Sequence, residues 1–266
     1  GADGEALRAL TRYGERIAAL VGRDRPTTMV AFPAGEWNKN RETWASVTDR
    51  LLAAGLGRDG AVLAVGGGVV GDVAGFVAAT YLRGVPYVQI PTTLLAMIDS
   101  SVGGKTGVDT PLGKNLVGAF YQPRAVLADV TTLASLPRLH LAAGMAEAMK
   151  HGAIADAGYF AKLTHAAPGV FAHDLATLFD AVRRSIEIKV DVVAADEREH
   201  GRRATLNFGH TVAHALESVS GYEMLHGEAV AIGMASEAEL GERLGVTAAG
   251  TGRALAAALE RYGLPT

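Results

Sequence analysis

The residues best equipped for chemistry lie between Leu206 and Glu228, in LNFGHTVAHALESVSGYEMLHGE. His210 and His214 are four apart, so on a helix they project from one face, a turn apart. Gly221 breaks that helix, and His226 stands just before a second apolar-periodic run, 229–244. A loop that folds back brings His226 toward the first pair. Imidazoles from separate helix ends suit a catalytic metal, which needs fixed ligands and an open position for substrate. Histidines that merely pack helices are the plainer alternative.

An acidic ligand is sought elsewhere in the chain, and Glu147 in GMAEAMKHG is the candidate. It sits among small apolar residues on a helix, an expensive place for an unpaired charge. Lys150, three residues on, can pair with it as an ordinary intrahelical ion pair. With His210 and His226, Glu147 makes a two-histidine, one-glutamate set that leaves positions open for substrate. The chain has no cysteine, so disulfides and thiolate ligands are excluded, and zinc would have to be held by imidazole and carboxylate.

Two glycine-rich stretches could hold anions. GGGVVGD, 66–72, follows the short apolar run AVLAV and opens a helix. Glycines there let the backbone approach a phosphate, and a helix N-terminus favours its charge. A dinucleotide pyrophosphate is the natural guest, although the spacing departs from G-x-G-x-x-G and a tight corner reads nearly as well. DSSVGGKTGVDTPLGKN, 99–115, reads as a polar loop in which Lys105 and Lys114 form an anion cradle, or else as a solvated surface loop. The apolar PTTLLAMI before it delivers it to a sheet edge, where α/β proteins bind ligands.

The elements that must position these groups follow from pattern. Helices are expected at 6–21, 40–54 and 72–79, and strands at 28–32, 61–65, 85–90 and 125–129. Alternation of strand and helix implies a parallel sheet. After Pro137 the patterns are almost all helical. The expectation is therefore an α/β domain over 1–137, Rossmann-like and parallel with an incomplete sheet, followed by an all-α, metal-binding domain over 138–266. Of 266 residues, 49% are hydrophobic and 20% charged, which is globular composition. A net charge of −3 gives no electrostatic case for nucleic acid or an anionic membrane. No apolar run approaches the roughly 20 residues of a membrane span, and no signal peptide is visible. A cytoplasmic location fits.

The run GGGVVGDVAGFVAATYLRGVPYVQIPTTLLAMIDSSVGGKTGVDTPLGKNLVGAFYQP closely resembles 3-dehydroquinate synthase, and GMAEAMKHG, RRATLNFGHTVAHALE and LHGEAVAIGM match it in order. The resemblance implies a sugar-phosphate substrate, 3-deoxy-D-arabino-heptulosonate 7-phosphate. It implies transient oxidation by bound NAD+, phosphate elimination, re-reduction and intramolecular aldol closure, as a carbon–oxygen lyase. It makes Glu147, His210 and His226 the ligands of one divalent ion, Zn2+ or Co2+. It moves His214 to the substrate phosphate, or to proton relay, beside Lys105, Asn115 and Asn207. Lys189 and Arg203 would hold the substrate carboxylate and Lys150 the substrate. Asp99 and Lys114 would stand where substrate and nicotinamide meet. Gly67, Gly68, Asp72, Thr92, Thr93, Glu36 and Lys39 resemble cofactor contacts. Arg83 matches an arginine lent across a homodimer interface. Arg83, Lys189 and Lys39 also read as plain surface charges. Family chains begin well before PAGE, at 33–36, and continue past GLPT, at 263–266, so the sequence is expected to be truncated at both ends. Its sheet would then have an exposed edge. The alternatives are a sister cyclase acting on another sugar phosphate and a silent fragment that keeps cofactor or metal binding.

Overall fold

The alanine-, leucine- and arginine-rich N-terminus forms α1 (Ala2–Val21). Tyr13 on it donates to Asp129 Oδ2 at 3.1 Å. The computed structural model describes residues 2–199, 201–221 and 223–266, which divide into two units, Gly1–Pro137 and Arg138–Thr266.

In the first unit, the stretch 28–32 forms no strand and joins no ladder among the described residues, against expectation. Side chains hold it instead: Val30 and Phe32 pack on the core, and Arg50 Nη1 donates to the Ala31 carbonyl at 2.9 Å. The Asn40 side chain accepts from the Thr43 N–H at 2.8 Å and so starts α2 (Arg41–Ala53). β1 (Val62–Gly66) passes through Gly67 into α3 (Gly68–Thr80), which begins four residues earlier than the pattern predicted. Two of its glycines serve packing. A Cβ on Gly71 would lie 2.6 Å from Gln89 Oε1, and one on Gly75 would lie 2.5 Å from Thr106 Cγ2. β2 (Tyr87–Pro91) runs parallel to β1, with Val65 opposite Ile90.

The polar segment expected as a loop is largely a hairpin of β3 (Lys105–Thr110) and antiparallel β4 (Gly113–Phe120). Gly107 faces Gly118 across the ladder, where a Cβ on either would strike the opposite backbone. Glycines that looked like loop residues therefore permit close strand pairing. β5 is only Ala125–Val126, parallel to β2 in the order β1-β2-β5. It stops short of the expected 129 because Asp129 caps the 3-10 turn Val130–Ser135. Val73, Phe76 and Val77 of α3 meet Tyr87 and Val108 in the core, each such burial stabilising by about 1.5–3 kcal/mol.

The second unit is built around α4 (Arg138–Ala155). Every residue from Leu141 to Gly152 is buried, so this helix has no solvent face over that stretch. α5 (Ala157–Phe171) and α6 (Leu175–Ala195) pack on it, capped by Asp156 and Asp174, which accept from Tyr159 N and Thr177 N at 2.9 and 2.8 Å. α7 (His210–Val219), α8 (His226–Arg243) and α9 (Thr251–Glu260) follow. A Cβ on Gly227 would lie 2.1 Å from the Ala143 carbonyl oxygen, so α8 meets α4 backbone to backbone.

Candidate active site

Two helix starts and one helix middle converge in the second unit. Gly209 precedes α7 at φ 82°, a left-handed conformation, and a Cβ there would press on Met234 of α8. Its N–H, with that of Thr211, donates to the Glu237 carboxylate at 2.7 and 3.2 Å, so α8 caps α7. His210 is thereby fixed as the first residue of α7. His226 is the first residue of α8, where Glu228 Oε2 accepts from Leu225 N at 3.0 Å. The close α8–α4 approach at Gly227 brings His226 onto Glu147. Glu147 Oε1 lies 3.6 Å from His210 Nε2 and 3.3 Å from His226 Nε2, and candidate ligand atoms of all three lie within 4.8 Å of one another.

Charge balance is tight here. Lys150 Nζ pairs with the fully buried Glu147. Burial alone would raise the Glu147 pKa, but Lys150, then His226 and His210, hold it well below the usual carboxylate range. Burial disfavours charge on His226, yet its bonds to Glu147 and Glu217 push its pKa up to about 9. His210 goes the other way: burial, helped by Lys150 and His226, lowers it against Glu147. A buried carboxylate and two imidazole Nε2 atoms facing one point, with no thiolate, fit a divalent cation of the zinc or cobalt type.

The other predicted residues of this unit divide by exposure. Lys189 on α6 is 6% exposed and Arg203 2%, so neither is a surface charge. The Arg203 guanidinium donates to the Glu197 carbonyl, and the Arg203 main-chain N–H donates to Asp196 Oδ2 at 3.0 Å. Asn207 and His214 are exposed. Asn207 Nδ2 donates to Glu199 Oε1 at 2.7 Å. The His214 ring meets His210 edge-on at 5.5 Å, on the face that the four-residue spacing predicted. Sequence reasoning passed over Glu217, buried on α7 with Oε1 3.3 Å from His226 Nδ1. Its signal was available: seven residues after His210 is two turns along the same face.

In the first unit the glycine turn sits between Thr93, on Gly67, and Ser100, on Gly68. Gly67 supplies no side-chain cap to α3. Thr92 is buried, its N–H donating to Gly66 O at 2.9 Å. Lys39, 5% exposed, is no surface charge either: Nζ reaches Asp72 at 2.7 Å and Glu36 at 3.7 Å, and Lys114 reaches Glu36 at 3.7 Å. Asp109, unnoticed in the sequence, ties this network to the hairpin. Its N–H donates to Lys39 O at 2.7 Å, and its Oδ1 accepts from the Asn115 N–H at 2.8 Å. Burial opposes charge on Lys39, but Asp72 and Glu36 hold its ammonium above the usual range. Asp72 is raised by burial despite Lys39, since Glu36 and Asp109 crowd it with like charge. Asp99 lies in the π-helical turn Ala96–Ser100. Lys105 and Asn115 are exposed on the hairpin, Asn115 at φ 56°. Arg83 is exposed at φ 67°, next to Leu82 at φ 49°.

Solved cyclases are similar to this chain in fold. A 2-epi-5-epi-valiolone synthase from Streptomyces hygroscopicus subsp. jinggangensis, with NAD+ and Zn2+ bound, is 34% identical at a TM-score of 0.91, over 97% of this chain and 73% of that one. A 2-deoxy-scyllo-inosose synthase complexed with carbaglucose-6-phosphate, NAD+ and Co2+ is 30% identical at 0.87, over 97% and 71%. Family models for the N-terminal and C-terminal parts of 3-dehydroquinate synthase match residues 29–143 and 144–266. The curated 3-dehydroquinate synthase of Symbiobacterium thermophilum is 54% identical over 96% of this chain and 72% of its own length. The chain belongs to the 3-dehydroquinate synthase family. Among the described residues, no helix is long and apolar enough to cross a membrane.

Proposed function

We propose that this chain converts 3-deoxy-D-arabino-heptulosonate 7-phosphate to 3-dehydroquinate and phosphate, as a carbon–oxygen lyase with NAD+ and one divalent metal ion. The observation that carries the reading is the Glu147, His210 and His226 cluster with Lys150 buried against it. When bound, NAD+ supplies a hydride acceptor that returns the hydride, and the ion a Lewis acid at the hydroxyl oxidised. Glu147, His210 and His226 are the residues that would hold the ion. Lys189 and Arg203 suit the substrate carboxylate and Lys150 another substrate oxygen. Their burial fixes these long side chains before substrate arrives, so little ordering entropy is lost on binding. Lys105, Asn115, Asn207 and His214 supply cations and donors for the departing phosphate, whose charge they stabilise as it develops. His214 is the exposed imidazole placed to move a proton.

The glycine-led start of α3, at Gly67 and Gly68, suits the NAD+ pyrophosphate, with Thr92, Thr93 and Asp72 as further contacts. Lys39 holds Asp72 and Glu36 in place, and Lys114 with Asp99 serves the nicotinamide end. The family kinship also supports a homodimer acting in the cytoplasm, with the exposed Arg83 offered to a partner's site. The reading is tested by phosphate release from the heptulosonate phosphate, with NAD+ present and the metal either supplied or chelated. Release that stops on chelation and resumes with Zn2+ or Co2+ supports it. No release under any of these conditions sinks it for this chain. The buried Lys189 and Arg203 favour a carboxylate-bearing substrate over the sugar phosphates of sister cyclases. Faster turnover of a heptulose phosphate lacking the carboxylate would reverse that choice.

A further inference from the structure

We propose that Glu217 is a positioning residue for the metal centre: its carboxylate accepts the Nδ1–H of His226 and so presents Nε2 of that ring to the ion. The inference rests on reading Glu147, His210 and His226 as metal ligands. His226 is held between two carboxylates, with Nδ1 3.3 Å from Glu217 Oε1 and Nε2 3.3 Å from Glu147 Oε1. An imidazole with a carboxylate on each nitrogen has its plane and its orientation about the Cβ–Cγ bond defined at both ends. A half-turn of the ring would remove the Glu217 contact and point carbon at that carboxylate.

The second histidine ligand is oriented differently. His210 Nδ1 lies 3.3 Å from the Phe208 carbonyl, a neutral acceptor two residues away on its own chain segment. His226 instead takes an anionic acceptor from a neighbouring helix. An acceptor on Nδ1 fixes the tautomer and strengthens Nε2 as a donor to metal, and a carboxylate does so more than a carbonyl. Glu217 is also 2% exposed, so its charge needs such a partner. It lies two turns beyond His210 on α7, which packs along α8. One helix therefore supplies a ligand from its first residue and the support for the other ligand from its third turn.

The test uses metal-free full chain. Zn2+ is titrated in competition with a chromophoric chelator, and the visible spectrum of the Co2+ form is recorded, for wild type, Glu217→Gln and Glu217→Ala. The wild type is expected to take one equivalent. Glu217→Ala is expected to bind Zn2+ about 10–100-fold more weakly, with altered Co2+ bands. Glu217→Gln, whose amide oxygen can still accept from Nδ1, is expected to lose less and to keep wild-type bands. Wild-type affinity and bands in Glu217→Ala would overturn the proposal while leaving the ligand set standing. No stoichiometric metal on the wild type overturns both. Circular dichroism establishes whether each variant folds. Should Glu217→Ala not fold, Glu217→Gln decides: weaker Zn2+ binding supports the role, and unchanged binding refutes it.

Discussion

In the helical unit Glu147, Lys150, Lys189 and Arg203 are all buried, whereas in the α/β unit Lys105, Asn115 and Arg83 stand exposed. Burial makes the first group part of the folding equilibrium. Each charge there must have its partner whether or not a ligand is bound, so that site is organised by the fold itself. The exposed group carries little folding energy, and solvent screens its charges. Lys39 is a buried charge of the α/β unit, and it is buried as the tie among Asp72, Glu36 and the Asp109 main chain. Where charge is buried, stability and function therefore depend on the same residues; where it is exposed, they separate.

Glu147→Ala should break that coupling most severely. It removes a proposed metal ligand and strands the Lys150 ammonium in the interior, which costs about 3–5 kcal/mol. Both losses should appear together, in metal content by atomic absorption and in the denaturation midpoint. Adding Lys150→Met should restore much of the stability and none of the metal. By contrast, Lys105→Ala should leave stability within about 0.5 kcal/mol while cutting phosphate release. A Glu147→Ala chain of wild-type stability would show that the pair is not buried in solution, and the contrast between the units would fail.

Legibility in the sequence follows the same division. Glu147 with Lys150, and His210 with His214, are local spacings on single helices, and they could be read directly. The pairing of His226 with Glu147 depends on Gly227 letting α8 reach the α4 backbone. That made it a guess about loop return, and only the family resemblance separated His214 from the ligands. The spacing of Glu217 from His210 places it on the same face of α7, but its pairing with His226 depends on how α7 and α8 pack. The hairpin was missed because Thr106, Gly107 and Val108 are all buried in succession, which erases the alternation by which a strand is recognised. The stretch at 28–32 failed in the opposite sense. Its apolar pattern is a strand's, but it is held by Val30 and Phe32 against the core and not by a ladder.

Close backbone approach gives a second, smaller contrast. Gly227→Ala drives a methyl into the Ala143 carbonyl, and backbone cannot swing aside as a side chain can. We expect about 1–3 kcal/mol of destabilisation, with weaker metal binding because His226 is the preceding residue. Gly75→Ala, in the α/β unit, meets the Thr106 side chain at 2.5 Å and should cost less. Chemical denaturation of the two variants measures the order. The reverse order would mean that α4 and α8 can separate cheaply, and that the metal site is less rigid than its burial implies.

The smallest expected effect concerns acid. In the helical unit, Asp156 and Asp174 are held below the ordinary range by bonds from Tyr159 N and the Thr177 hydroxyl, and Glu242 by the Gly250 N–H. A carboxylate depressed by folding stabilises above its unfolded pKa, near 4, and that contribution is lost as pH falls through the folded value. In the α/β unit, Asp72 and Asp109 are raised by burial, against Lys39 and Asn115 respectively. Their sign is opposite: the folded state holds its protons more tightly, so lowering the pH through their range relieves a strain. Asp129, depressed mainly by Thr131 against burial, offsets part of this. Acidification should therefore weaken the helical unit first. Both tryptophans, Trp37 and Trp44, belong to the α/β unit, so their emission follows that unit, while far-UV circular dichroism follows helix in both. Loss of ellipticity should begin at a higher pH than the change in emission. Coincident transitions would show that the two units unfold as one.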